Sequence, residues 1–423
     1  MPRPAGDHPG RMVHHDTTQL RRERLVTRPF VTLALAELAY FTADGVAVYT
    51  LPVYVTGPLG SDAAGAGLAF GAFAVVALVC RPFAGRLADT RGRRPVMVAG
   101  ALLCALGMAL TPLAGTLVAV VALRLLLGVA EACLFVAAVA ALVDLAPPSR
   151  IGEAMSYNSL GLYLGLTAGP PLGELLVRSA GFVAAWSGAA VLAATSAVLV
   201  LGIGETRPAG APAAGEAHLI HRPSIPVGLV FLASTVAMGA FLAFAALHAD
   251  AVGLANASLP LLTYGAMVVA VRVAFARVPD RLPPLALGGA AVLTMAGGLT
   301  VLTTWASPAG TILGAAVMGL GIAFSTPALF AAIFARAGAG ERGAASATAS
   351  AFLDLGIGGG PILLGAVAQA FTIQAAFGAA AWVALLGAMW ALVLRARENT
   401  PSRAGVAESP PPDKGSTHAV VGS

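Results

Sequence analysis

Charged side chains are scarce in this sequence. Only 11% of its 423 residues are Asp, Glu, Lys or Arg, whereas 58% are hydrophobic. Soluble proteins carry about 25% charged residues, because their surfaces face water. A chain with so few charges cannot cover a water-facing surface of this size. The composition therefore excludes a soluble globular protein and favours a protein that spans a lipid bilayer.

Cysteine and lysine are also rare. The three cysteines, Cys80, Cys104 and Cys133, lie inside apolar runs and have no metal-ligand spacing, which excludes a structural metal centre and makes disulfides improbable. Lys414 is the single lysine, and arginine supplies the net charge of +5. These arginines lie in the tails and in alternate loops, a distribution that sets the orientation of a membrane protein. They do not form a stripe that would bind nucleic acid. No G-x-x-x-x-G-K-[ST] loop or nucleophile–base spacing is present, so we expect neither an enzyme nor ATP-driven transport.

Long apolar runs dominate what is present. A helix needs about 20 apolar residues to cross the hydrocarbon core. The runs of that order are Phe30–Tyr54, Ala66–Ala84, Pro95–Leu113, Leu117–Val143, Ala154–Leu176, Phe182–Ile203, Pro226–Ala246, Leu261–Val278, Leu285–Trp305, Ile312–Phe334, Ala344–Phe371 and Ala375–Leu394. The fold class predicted from them is an all-α membrane protein of 12 transmembrane helices.

The loops predict the orientation and the domains. The even-numbered connections carry almost all of the loop arginines, which places both termini in the cytoplasm of a bacterial cell, with the chain in its inner membrane. The predicted units are a disordered tail at 1–28, a six-helix bundle at 29–204, a cytoplasmic linker at 205–225, a second six-helix bundle at 226–396 and a disordered tail at 397–423. The first apolar run is too long for a signal peptide, so we expect it to be retained.

The two predicted bundles are related by an internal repeat. An offset of 191 positions places Arg272 on Arg81, Arg277 on Arg86, Asp280 on Asp89, Gly319 on Gly128, Gly343 on Gly152, Gly356 on Gly165, Gly360 on Gly169 and Pro361 on Pro170. Two pseudo-symmetric halves with a site between them are a recurring transporter architecture.

The connection after the second predicted helix reads Gly85-Arg-Leu-Ala-Asp-Thr-Arg-Gly-Arg-Arg94, a tight basic turn. It resembles the G-x-L-A-D-x-x-G-R-R signature of the major facilitator superfamily, through Gly85, Leu87, Ala88, Asp89, Gly92, Arg93 and Arg94. The resemblance implies that this loop is a conformational switch between two bundles, and we include Arg81 in that switch. It also implies the major facilitator fold over about residues 30 to 396.

Two further segments are similar to motifs of that superfamily. Arg124 precedes Gly128 by four positions in the fourth helix, and the resemblance associates this arginine with proton coupling. A structural ion pair is the alternative role for Arg124. The fifth helix resembles the antiporter motif G-x-x-x-G-P-x-x-G-G through Gly165, Gly169, Pro170 and Gly173. Glu174 and Ser156 stand where that motif has glycine. This similarity implies export, and we add its four matching residues to the conformational switch.

Four charged residues in the first and fourth helices point to proton coupling. Glu37 and Asp44 are seven positions apart, as are Arg124 and Glu131, so each pair projects from one helix face. Helix rise places Asp44 and Arg124 about 20 Å from the inner boundary and both glutamates about 10 Å from it. We expect an Asp44–Arg124 attraction and a Glu37/Glu131 pair in which one carboxylate holds a proton.

The function predicted from the sequence is secondary transport by alternating access. The resemblance implies proton antiport that exports a small amphipathic molecule or drug, with the proton gradient as the energy source and no cofactor. The predicted acidic cavity favours cationic or neutral cargo, although Arg124 leaves anionic cargo open. The predicted substrate-cavity residues are Tyr40, Asp44, Phe241, Phe324 and Asp354. Proton-coupled import of a sugar or other metabolite, and a non-transporting membrane sensor, are the alternatives. A monomer suffices for this mechanism, with lipid, protons and a small molecule as partners.

Overall fold

The fold was analysed in a computed structural model that describes residues 25–147, 150–207, 220–338 and 341–398. The predicted disordered tails lie largely outside these ranges, and so does most of the predicted linker. The described ranges contain helices and no strand. The helices are α1 Arg28–Thr56, α2 Ala63–Arg91, α3 Arg93–Leu110, α4 Leu117–Leu145, α5 Ile151–Leu201, α6 Ile225–Ala251, α7 Leu259–Ala274, α8 Val278–Arg281, α9 Pro284–Thr304, α10 Pro308–Phe334, α11 Arg342–Ala370 and α12 Ile373–Glu398.

Helix α5 contains two of the predicted spans. It is 51 residues long, but Gly181 interrupts it with φ 80° and ψ 179°. That backbone conformation is open to glycine and breaks the helical ladder, so one span ends and the next begins there. The described residues therefore form twelve apolar helical segments, as predicted, if the four-residue α8 is set aside.

Helix α7 is shorter than its predicted span of Leu261–Val278. It ends at Ala274, and the short helix α8 begins at Val278. The cause is Pro279, which lacks the N–H that would bond the carbonyl of Phe275 and whose ring would collide with that carbonyl. The predicted end of this span was therefore wrong by about one turn.

Polar residues set several of the other helix starts. The side chains of Thr27, Asp62, Thr116 and Ser307 accept hydrogen bonds from backbone N–H groups in the first turns of α1, α2, α4 and α10. These N-caps satisfy donors that have no partner within the helix.

The helices pack as two groups that meet along two seams. In the first group α1 packs on α5 and α2 on α4, while in the second α9 packs on α10 and α12, and α6 on α11 and α12. The two main seams between the groups are α2 with α11 and α5 with α7, and α6 also contacts α1 and α2. We call the end of the bundle at the α2–α3 turn the inner end, which the sequence predicts to be cytoplasmic, and the opposite end the outer end.

Candidate functional site

Three of the four residues predicted to couple protons are buried between α1 and α4. Glu37 is 2% exposed, Arg124 is 6% exposed and Glu131 is 7% exposed, while Asp44 is half-buried. Such ionisable groups are rare in a chain of this composition because burying a charge is costly, so they mark a candidate functional site.

Arg124 is held by α2 more closely than by Asp44. Asp44 and Arg124 attract each other electrostatically, but no ion pair of 4.0 Å or less joins Arg124 to any described carboxylate. Instead, Nε of Arg124 donates a hydrogen bond to the carbonyl oxygen of Ala69 at 3.2 Å. Its guanidinium also lies over the ring of Phe73, 4.7 Å from the centroid. The arginine is thus positioned independently of Asp44.

The two buried glutamates have different surroundings. Glu37 and Glu131 repel each other electrostatically, and the amide of Asn158 in α5 faces the Glu37 carboxylate, to which it donates a hydrogen bond when its nitrogen is assigned to that side. Glu131 also interacts with Asp44, and its Oε2 atom has no hydrogen-bond partner among the described residues. Glu131 is therefore the carboxylate that lacks a full set of partners. The sequence analysis did not identify Asn158, although an asparagine within an apolar run is itself a signal.

An ion pair joins the two helix groups beside this cluster. Nε and Nη2 of Arg81 in α2 donate to Oδ2 and Oδ1 of Asp354 in α11, at 2.5 and 2.8 Å. The guanidinium of Arg81 also lies 4.9 Å from the ring centroid of Phe135. Asp354 was predicted to line a substrate cavity, and here it forms this bridge, with its side chain 5% exposed.

The predicted cavity aromatics are packed away in this conformation. Tyr40 and Phe241 have no exposed surface, and the ring of Phe241 lies 5.1 Å from that of Tyr264. Phe324 is half-buried, with its ring 6.5 Å from that of Phe275. Tyr40 and Phe241 therefore contact no open cavity in this state.

Ion pairs hold the predicted switch loop to the first helix group. Arg93 pairs with Asp89 at 2.5 Å and with Asp144 of α4 at 3.2 Å. Arg94 donates to the carbonyl oxygen of Leu201, at the end of α5, at 2.7 Å. The loop thus connects α2, α3, α4 and α5 at the inner end.

Glu205 completes this loop by capping α3. Its carboxylate accepts hydrogen bonds from the backbone N–H groups of Arg93 and Arg94, at 2.8 and 3.2 Å. Gly92 allows this contact, because its φ of 104° suits glycine and an added Cβ would lie 2.4 Å from Oε2 of Glu205. Gly85 makes only an ordinary contact, with Val136. The sequence analysis placed Glu205 in the linker and assigned it no role.

Removal of the Glu205 cap should cost stability in a pH-dependent way. Burial opposes ionisation, but hydrogen bonds from the backbone N–H groups of Arg207, Arg93 and Arg94 lower the pKa of Glu205 below its ordinary value. The stabilisation is therefore complete above the ordinary glutamate pKa of about 4.3 and is lost as the pH falls through the folded value. We expect Glu205→Ala to lower the free energy of unfolding by about 0.5–1 kcal/mol at pH 7, a value discounted for the exposure of the side chain.

Thermal unfolding of the purified protein in detergent, at neutral and acidic pH, measures this difference. Glu153→Ala is the matched control, since it removes a carboxylate from an exposed pair with Arg150. A Glu205→Ala defect that stays the same size in acid would show that the carboxylate charge is not responsible.

A second set of hydrogen bonds joins the helix groups at the outer end. Glu174 of α5 accepts from the backbone N–H groups of Ala257 and Ser258, each at 2.9 Å, and from the Ser258 hydroxyl at 2.6 Å. Arg178 adds a hydrogen bond to the carbonyl oxygen of Ala255 at 2.8 Å. Glu174 is the residue that departs from the antiporter motif, and its carboxylate links α5 to the α6–α7 loop.

We expect Glu174→Ala to loosen the outer end. The substitution leaves three donors without their charged acceptor, and a hydrogen bond to a charged group contributes about 1.5–3 kcal/mol. A Thr167→Cys reporter in a cysteine-free background lies at the α5–α7 contact, where Thr167 meets Gly265. Its labelling by a membrane-impermeant maleimide from the outer side should accelerate by at least about tenfold.

Arg178→Gln provides the control for this experiment. Its side chain is 58% exposed, and exposed pairs contribute about 0–1 kcal/mol. Equal labelling of the wild type and Glu174→Ala would mean that Glu174 does not close the outer end.

The glycines of the fifth-helix motif bring α5 against α1. An added Cβ on Gly169 would lie 2.4 Å from the Cα atom of Gly45, so only glycine permits this approach. Gly165 packs in the same way on Phe41 and Thr42, and Gly173 on Val46 and Thr50. Pro170 is buried and forms part of the same seam. These residues therefore fix the α1–α5 contact on which Glu37 and Asn158 face each other.

Comparisons with known proteins agree with this architecture. A family model described as Major Facilitator Superfamily matches residues 33–357. An uncharacterized MFS-type transporter of Salmonella typhimurium is 30% identical over 375 residues, which cover 83% of this chain and 92% of that protein. A POT family transporter, solved with 5-aminolevulinic acid, superposes with a TM-score of 0.76 at 12% identity over 88% of this chain and 97% of that one. The human organic anion transporter MFSD10 superposes with a TM-score of 0.67 at 19% identity over 86% of this chain and 99% of that one. This chain is a transporter and not an enzyme, and it belongs to the major facilitator superfamily.

Proposed function

We propose that this protein exports a small amphipathic molecule in exchange for protons, by alternating access of its two helix groups. The observation that carries the proposal is the set of three acidic residues within the first helix group, Glu37, Asp44 and Glu131, in which Glu131 interacts with both of the others and Asp44 also faces Arg124. It favours a transporter over a sensor, because a scaffold that moves no protons has no need to keep these charges.

The charge balance of the cluster is the reason to assign protons to it. The three carboxylates outnumber Arg124, which interacts with Asp44, while Arg81 and Asp354 neutralise each other. An unpaired buried ion costs several kcal/mol, so the cluster is most stable when bound protons bring its net charge close to zero. A change in hydration, or a substrate that approaches the cluster, alters this balance and releases or takes up a proton.

The contacts between the helix groups support alternating access. The polar contacts between described residues of the two groups involve Glu174 and Arg178 at the outer end, and Arg272 and Arg81 farther in. Arg81 lies ten residues before the end of α2, or about 15 Å from the inner end. The outer end is thus held by hydrogen bonds, and we propose that the helix groups part at the inner end to admit a cytoplasmic molecule.

Two further features support the direction and the placement. The glycine motif of α5 resembles that of antiporters, and it forms the α1–α5 contact beside Glu37. The arginine-rich loops favour a bacterial inner membrane with both termini in the cytoplasm. Each helix group contributes to one pathway within one chain, so a monomer suffices.

Inside-out membrane vesicles test both coupling and direction. Respiration acidifies their interior, and a pH-sensitive dye reports the gradient while lipophilic cations, neutral drugs, organic acids, sugars and amino acids are added in turn. Export by antiport predicts that a cargo added outside these vesicles releases protons only when the protein is present, and that Glu131→Gln abolishes the response. Proton movement seen only in right-side-out vesicles, with a sugar or an amino acid, would instead establish import by symport. Silence with every compound, from folded protein, would count against the proposal.

A further inference from the structure

A half-buried arginine at the α5–α7 seam, Arg272, has two buried nitrogen atoms without a hydrogen-bond partner among the described residues. Nη1 of Arg272 in α7 donates a hydrogen bond to the hydroxyl of Ser159 in α5, and the guanidinium lies 4.3 Å from the ring centroid of Tyr163. Its Nε and Nη2 atoms are buried and have no hydrogen-bond partner among the described residues. These two atoms form the edge of a guanidinium that grips a carboxylate with two parallel hydrogen bonds.

The internal repeat contains an equivalent arginine, Arg81, whose Nε–Nη2 edge does have a partner. The offset of 191 positions that places Arg272 on Arg81 also places Tyr163 on Asp354. Arg81 uses the same two atoms, Nε and Nη2, to bind both oxygens of Asp354. The α5–α7 seam therefore repeats the α2–α11 bridge with its arginine kept and its carboxylate replaced by a tyrosine.

The Tyr163 ring does not substitute for the missing carboxylate. It lies against the face of the Arg272 guanidinium, where it fixes the plane of the group and leaves the Nε–Nη2 edge unfilled. Tyr264, two turns earlier on α7, carries a second buried polar atom without a partner among the described residues, its hydroxyl oxygen. Buried guanidinium N–H groups without an acceptor are costly, which argues that a ligand accepts hydrogen bonds from them during the transport cycle.

We propose that Arg272 binds the carboxylate group of the transported molecule. The inference rests on the proposed function and narrows its cargo to amphipathic molecules that carry a carboxylate. The Nε–Nη2 edge of Arg272 becomes accessible when α5 and α7 separate. Tyr163 then packs against the apolar part of the bound molecule, next to its carboxylate. The molecule thereby supplies at the α5–α7 seam the group that Asp354 supplies permanently at the α2–α11 seam.

Equilibrium binding to the purified full-length protein in detergent tests this assignment. The probes are benzoate and phenylacetate, and the matched neutral controls are benzamide and phenylacetamide. Titration against the thermal midpoint of unfolding reports binding, because a ligand that binds the folded state raises it. We expect the two carboxylates to raise the midpoint, whereas the two amides leave it unchanged.

Variants of the two facing residues make the test specific. Arg272→Gln should weaken carboxylate binding by at least about tenfold, since a hydrogen bond to a charged group is worth more than one tenfold step. Arg272→Lys keeps the charge but not the fork, and should also weaken binding. Tyr163→Asp places a carboxylate where the repeat has Asp354, so it should fill the edge from within and abolish binding in a stable protein. Arg178→Gln removes a different, exposed arginine of α5 and should bind the probes normally.

Two results would overturn the assignment. One is the absence of any midpoint shift with either carboxylate, and the other is binding that persists unchanged in both Arg272→Gln and Tyr163→Asp. The measurement uses no proton gradient. Binding that depends on Arg272 in a protein that moves no protons would therefore overturn the proposed antiport and leave this inference standing.

Discussion

Glu131→Gln is expected to reduce proton-driven transport by at least about a hundredfold, because removal of a positioned proton-transfer group costs about 10²–10⁴ in rate. Glutamine has nearly the shape of glutamate but takes up no proton at neutral pH. Oε2 of Glu131 has no partner among the described residues, and its carboxylate interacts with Asp44, Arg81 and Asp354. A change of charge at Glu131 therefore changes the electrostatic energy of Asp44 and of the Arg81–Asp354 ion pair.

Exchange of labelled substrate between equal concentrations separates coupling from movement. Glu131→Gln should keep this exchange, because alternating access itself needs no net proton flow. Glu37→Gln should show a similar but smaller loss of coupling, since Asn158 already donates a hydrogen bond to Glu37. Loss of exchange together with coupling would mean that Glu131 is needed for substrate binding or for folding and is not the proton carrier.

Arg81→Leu is expected to destabilise the protein by about 3–5 kcal/mol, the range measured when one partner of a buried ion pair is removed. The substitution leaves the carboxylate of Asp354 buried without its cation, since both of its oxygens bind Arg81. Asp354→Leu alone should have an effect of similar size, because it leaves the buried guanidinium unpaired.

The double variant separates a lost charge partner from lost packing. Arg81→Leu combined with Asp354→Leu removes both charges, so it should recover most of the stability lost in either single variant. Unfolding in a denaturing detergent series, followed by tryptophan fluorescence, measures all four proteins. If the double variant is as unstable as the sum of the two single variants, the pair is not coupled in the folded protein.

Helix positions were predictable from the sequence because lipid imposes a simple rule. A span must be apolar for about 20 residues. The predicted run Leu117–Val143 therefore differs from α4, Leu117–Leu145, by only two residues. The repeat offset was equally visible, since Arg81 and Arg272 are rare charges in apolar runs. Both features depend on residues close together in the sequence or on residue type alone.

Side-chain partners were not predictable in the same way. Helix rise placed Asp44 and Arg124 at one depth, but the rotation of each helix decides whether the side chains meet. Arg124 instead bonds the Ala69 carbonyl of α2. Asp354 was assigned to a cavity, whereas its partner Arg81 lies 273 positions away. Such a pairing depends on how the two helix groups pack together, and this packing cannot be read from a local stretch of one sequence.

The partners of Glu174 and Glu205 escaped prediction for a further reason. Each carboxylate binds backbone N–H groups, Glu174 in the α6–α7 loop and Glu205 at the start of α3. Backbone donors carry no residue-type signal, so nothing in the sequence marks them as partners. In the antiporter comparison Glu174 appeared only as a departure from a glycine motif.

The central claim is that cargo and protons move in opposite directions through the buried carboxylate cluster. Its most direct test uses the purified protein in liposomes with an imposed pH gradient and a pH-sensitive dye inside. The account predicts that addition of a transported molecule moves protons opposite to that molecule in the wild type, and that this movement disappears in Glu131→Gln while substrate exchange continues. Full proton-driven transport by Glu37→Gln and Glu131→Gln alike would contradict it.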